Sequence, residues 1–197
     1  MMKRLTLLLL LTLPLLTSCR LEERRYALDE GLLTALQSDA TLTVGYRVPV
    51  HFLAMSDEYL DYLQQQNLQE DPFSPTIKAL YVDTITGANI ALMDMRMLPA
   101  EKTEERLKHY KQEFNAQGSW QQVDLERFKM NGYPQVAHLH LQNETAACDR
   151  YYFYDDTKAV MSFDFVYPAG MQQAYRPYFE STLATIRKQY EFSITAE

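Results

Sequence analysis

Cysteine, glycine and tryptophan are scarce in this chain: two, six and one of them among 197 residues. Two cysteines permit one internal disulfide at most, which excludes the cysteine-stapled scaffolds of small secreted domains. So little glycine excludes collagen-like and flexible low-complexity chains. Basic charge is also in deficit, with 19 Lys and Arg against 26 Asp and Glu and a formal charge of −7. An acidic surface repels phosphate backbones, so no nucleic-acid partner is expected. No G-x-S-x-G elbow, H-E-x-x-H pair, P-loop or G-x-G-x-x-G turn occurs. Lacking a nucleophile elbow, a metal-binding helix or a phosphate cradle, the chain is expected to be non-catalytic and to carry no cofactor.

One long apolar run is present, at the start. Lys3 and Arg4 precede an apolar stretch from Leu5 to Leu16, broken by Thr6, Thr12 and Pro14. A bilayer span needs roughly 20 apolar residues, so this stretch suits a secretory signal better than a transmembrane helix. It ends Leu16-Thr17-Ser18-Cys19, which resembles a bacterial lipobox: an aliphatic residue, two small ones, then the cysteine. That resemblance implies removal of residues 1–18 and acylation of the Cys19 thiol. Several acyl chains would then hold the protein at a membrane, each buried CH₂ adding about 0.8 kcal/mol. In the enteric lipoproteins it resembles, an aspartate after the cysteine marks retention in the inner membrane. Arg20 therefore points to the outer membrane, with the domain facing the periplasm. With Cys19 acylated, Cys148 has no disulfide partner and is expected to be a small, semi-buried packing residue.

The remainder, roughly 180 residues, suits one domain with its own core. Residues 19–40 are expected to hold the lipidated cysteine, a charged spacer over 20–25 and a short helix over 26–38 carrying Leu28, Leu32, Leu33 and Leu36. Residues 41–197 are expected to form the domain. Thr41–Val50 reads as a strand, Ser56 or Asp57 as the start of a helix, and 67–75 as a loop. Ile77–Ile85 and Asn89–Leu98 read as a hairpin, followed by a helix over 104–116. Trp120–Lys129 and Tyr133–Gln142 flank Asn131-Gly132, a strong hairpin signal. Cys148–Tyr154 and Ala159–Tyr167 flank Asp155-Asp156-Thr157-Lys158, which is turn material rather than an acid–base pair. A closing helix is expected over 172–190. Antiparallel strands with helices at both ends of the run give an α+β fold, a sheet flanked by helices.

This order resembles the PsbP-like fold, and within it the DcrB-type bacterial lipoproteins. The likeness is carried by Thr103, Leu107, Tyr110 and Phe114 of the 103–114 segment, by the Asn131-Gly132-Tyr133 turn, and by the closing strand, Pro168 and helix. It covers residues 41–190 and implies an α/β/α sandwich. It also implies an accessory role beside larger assemblies.

Three groups of side chains are candidates for a site. His138 and His140 alternate along a strand and so share a face. A metal site would need further ligands, and a partly solvated sheet face is the expected reading. Asp164 stands in an apolar run, so burial would require a partner such as an arginine. The aromatic residues Tyr151, Tyr152, Tyr154 and Tyr167 are expected mainly in the core. Any excess left exposed would, with Asp164, form an interaction surface. The expected function is that of a lipid-anchored periplasmic accessory protein supporting an envelope assembly, with secretion and motility machines among the candidate settings. Its expected partners are the membrane, through Cys19, and an envelope protein. The alternative is a binder of a small molecule or peptide in a cleft between sheet and helix.

Overall fold

The computed structural model describes residues 21–70, 74–99, 101, 105 and 122–189. Residues 1–20, Cys19 among them, and the helix expected over 104–116 apart from Glu105, lie outside them. The described elements are β1 (Gln37–Asp39), β2 (Val44–Tyr46), β3 (Leu53–Ala54), α1 (Asp57–Glu70), β4 (Thr76–Val82) and β5 (Asn89–Asp94). After them come β6 (Gln122–Met130), β7 (Tyr133–Gln142), β8 (Ala146–Asp155), β9 (Lys158–Pro168), α2 (Gln172–Thr185) and β10 (Arg187–Lys188). Seven strands form one antiparallel sheet in the order β3-β4-β5-β9-β8-β7-β6, and β1-β2-β10 form a second, small one. The chain is thus α+β, as its alternation and turn signals imply.

The long strands are closed by left-handed turns, and β8 and β9 are largely buried on both faces rather than alternating. Asn131 and Gly132 take φ of 50° and 81°, the type I′ geometry that matches strand twist. Asp156 takes φ of 53° between β8 and β9, so Asp155 and Asp156 serve the turn. On one face of the large sheet, Ile90, Leu92, Phe153, Phe163 and Phe165 are fully buried. Tyr175, Phe179 and Leu183 of α2 join them in a single core cluster, together with Val44 and Tyr46 of β2. The opposite face carries a second cluster of Leu139, Leu141, Tyr152 and Tyr154 with Met95 and Leu98.

The residues before β2 depart from expectation. No helix forms over 26–38; a single 3-10 turn, Glu30–Leu32, stands there, with β1 after it. The Asp29 carboxylate accepts the Gly31 amide at 3.0 Å. Thr34 N–H donates to the Val48 carbonyl and Val50 N–H to the Leu32 carbonyl. Tertiary pairing with 48–50 therefore takes the backbone groups a helix would have used. Leu28 and Leu36 are left half exposed. Similarly, α1 runs on to Glu70 through the start of the expected loop.

The closing helix stops at Thr185, short of 190, because Ile186 turns extended and β10 pairs with β2. Asn131 secures this stop: its Nδ2 donates to the carbonyls of Leu183 at 2.9 Å and Ile186 at 2.8 Å. The β6–β7 turn thus caps α2 as well as reversing the chain. Asn131→Ala is expected to cost about 1–2 kcal/mol through two orphaned carbonyls and a strained φ. Asn131→Gly should cost less, because it keeps the turn geometry. Urea unfolding of both variants, followed by far-ultraviolet circular dichroism, checks this order.

Candidate functional site

The register of β6, β7, β8 and β9 builds the site. His138 pairs with Glu126 on one side and Tyr151 on the other; His140 pairs with Asp124 and Asp149, and Asp149 with Phe165. Directly paired residues share a face, so Asp124, Glu126, His138, His140, Asp149 and Tyr151 all rise on the α2 side. Asp149 is the centre. His138 Nε2 lies 2.8 Å and His140 Nδ1 2.7 Å from its Oδ1. The Tyr167 hydroxyl donates to its Oδ2 at 2.6 Å.

The electrostatics follow from these contacts. Burial of Asp149 opposes its ionisation, but the hydrogen bonds from His138, His140 and Tyr167 outweigh that and hold the carboxyl well below the usual carboxylate range. The Asp149 bond in turn raises His140, against the cost of burying a cation. Burial and the same carboxylate push the Tyr167 phenol up. His138 also stacks face to face on Tyr151, with centroids 4.3 Å apart and 3° between planes. Its Nδ1 stands 3.8 Å from Glu126 Oε2. An ionised Asp149 fixed by three donors is a poor proton acceptor and a firm electrostatic anchor.

Above this set, α2 and the chain around Tyr26 leave a cleft of about 190 Å³. Arg24, Tyr26, Gln172, Arg176 and Glu180 wall it opposite His138, Asp149 and Tyr167. A second hollow of about 250 Å³ shares His138, Asp149 and Gln172 and opens past Asp124, Glu126 and His140. Among the described residues, no group of three or more His, Cys, Asp and Glu is placed to hold a metal ion. His51 does not line the cleft and packs edge-on against Phe52 and Tyr178.

The candidates from the sequence fare unevenly. His138 and His140 share a face and converge on the Asp149 carboxylate, to which the histidine spacing alone does not point. Tyr151, Tyr152, Tyr154, Tyr167 and Asp164 are all buried, none more than 6% exposed, so they form no exposed patch. Their size explains this: the two core clusters absorb them. Tyr151 and Tyr167 line the cleft, whereas Tyr152 and Tyr154 lie on the opposite face. Asp164, also on that face, accepts Arg150 Nε at 2.8 Å and Nη2 at 2.6 Å. Cys148 is buried beside Arg150, and burial pushes its thiol up to about 12. Counting back across an Asn143-Glu144-Thr145 turn would set Cys148 opposite His140; the connection is one residue longer, with Gln142 paired to Ala147, and so brings Asp149 there instead.

No family profile matches the chain, and no curated protein does. Among solved structures it is similar to the solution structure of cyanobacterial PsbP (CyanoP) from Synechocystis sp. PCC 6803. The two superpose with a TM-score of 0.51 over 88% of this chain and 98% of that one, at 13% identity. At that identity the likeness is one of fold, and the chain has a PsbP-like fold.

Proposed function

We propose that this chain is a non-catalytic, lipid-anchored accessory protein of the bacterial envelope. It is tethered through Cys19, faces the periplasm from the outer membrane, and is of the DcrB type. It binds a component of a larger envelope assembly in the cleft between α2 and β6–β9. The cleft carries this reading. Its walls mix aromatic rings with ion-paired Arg24 and Arg176, and its floor is a carboxylate locked by three donors. Such a floor favours recognition over proton transfer, since Asp149 is already satisfied.

Size favours a protein partner over a free ligand. Pockets for drug-sized molecules span roughly 300–1,000 Å³, and the cleft is about 190 Å³. A single inserted side chain or a short peptide end fits that volume. A second reading, a small-molecule or peptide binder without a standing protein partner, rests on the same hollow together with its 250 Å³ neighbour. In vivo crosslinking separates the two. The acylated protein should capture one envelope protein that neither Cys19→Ala nor Arg176→Glu captures. Capture that is indifferent to both substitutions would remove the accessory reading.

A further inference from the structure

The residues that follow Cys19 are not a free spacer. Lys129 N–H donates to the Glu22 carbonyl at 2.7 Å, and Arg24 N–H donates to the Lys129 carbonyl at 2.8 Å. Glu23 thereby bridges in parallel to Lys129 near the end of β6. Arg24 pairs with Glu126 at 2.7 Å and lies over the Phe128 ring, 4.1 Å from its centroid. Tyr26 then sets its ring edge-on to Tyr151, and Asp29 N–H donates to Ser181 Oγ at 3.1 Å. One arm, Leu21–Asp29, is thus fastened to β6, β8 and α2 in turn.

Chain length gives this arm a consequence. Glu22 stands three residues after Cys19, so their Cα atoms are at most about 11 Å apart. A thioether-linked diacylglycerol puts its cysteine at headgroup level. Six free residues would let the domain swing over roughly 13 Å and rotate; a docked arm removes that freedom. Among the described residues, the outer edge of β6 is met by Glu22–Arg24 alone. Exposed Glu22 and Glu23 offset Arg25 and Lys129 at the contact, so chain length rather than charge brings this edge to the surface.

We infer that the Leu21–Asp29 arm is a rigid mount that holds the β6 edge of the sheet against the lipid surface. This rests on acylation of Cys19. The bilayer is then the partner of that edge, and β3 points away from it. Six inter-strand steps of about 4.8 Å separate the two edges, roughly 29 Å in all. The cleft, rimmed by Arg24 and Tyr26, opens beside the mount. A partner must therefore reach it with a membrane-proximal segment.

The test uses the acylated full chain in vesicles of phosphatidylethanolamine and phosphatidylglycerol that carry a headgroup nitroxide. A fluorophore is placed at Lys129→Cys or at Leu53→Cys, each with Cys148→Ala. Quenching several-fold stronger at 129 than at 53 is expected. Equal quenching of two vesicle-bound proteins would overturn the mount and leave the anchor standing. Failure of the chain to float with vesicles, or equal flotation of Cys19→Ala, would overturn both. Arg24→Pro removes the donor to the Lys129 carbonyl, so it should keep flotation and bring the two quenching values together. A difference that survives Arg24→Pro would also overturn the mount.

Discussion

Replacing Asp164 with alanine is expected to destabilise the domain by about 3 kcal/mol, the low end of the 3–5 kcal/mol for breaking a buried pair. The two residues face each other across β8 and β9, and the guanidinium grips the carboxylate with two parallel bonds of 2.8 and 2.6 Å. Ser162 Oγ adds a third contact at 3.3 Å. Asp164 has 5% of its side chain exposed and Arg150 25%. That quarter lets the guanidinium recover some hydration after truncation, which is why the low end applies. Restoring an apolar pair distinguishes charge from packing. Arg150→Met with Asp164→Leu should come within about 1 kcal/mol of the parent, because removing both charges removes the desolvation cost as well. Chemical unfolding of the single and double variants gives the comparison. A single variant as stable as the double would mean that the pair is not held as described.

The second large effect is at Asp149 and depends on pH. Its folded pKa is depressed below the ordinary 3.8. The stability it confers is therefore present above about pH 4 and lost as pH falls through the folded value. His140 is raised above 6.5, so its contribution is complete below about pH 6.5 and lost as pH rises through the raised value. The two windows overlap between about pH 4 and 6.5. There Asp149→Asn should cost about 1.5–3 kcal/mol, the range for hydrogen bonds to charged groups. The cost should shrink at pH 3 and again at pH 8. Urea unfolding at pH 3, 5 and 8 tests this. A penalty that is flat from 5 to 8 would mean that Asp149 does not raise His140.

Legibility in the sequence tracked how local each signal is. β7 can be read to its last residue because Ala137–Gln142 alternates apolar and polar residues and the strand stands between two turns. The Asn131-Gly132 turn was equally plain, yet its second task, capping α2, was not, since Leu183 and Ile186 stand some fifty residues away. Leucines at helical spacing suggested a helix over 26–38. Pairing of Thr34 and Val50 with distant partners overrode it, and Gly31 weakened it from within. Asp164 in an apolar run announced a buried carboxylate, and Arg150 answers it. The cleft was half visible. The histidine pair follows from period two, whereas Asp149 and Tyr167 join it only through the register of three strands. Least legible was the arm: Glu22–Arg24 reads as charged spacer, and only its main chain, paired with Lys129, betrays a docked strand.

The anchor at Cys19 is the claim from which the membrane orientation, the periplasmic setting and the proposed partner all descend. Intact-mass measurement of the mature protein, extracted from its own envelope, tests it most directly. A chain that begins at Cys19, lacks Met1–Ser18 and carries the added mass of a thioether-linked diacylglycerol is the predicted result. An unmodified Cys19, or a leader still attached, would contradict it.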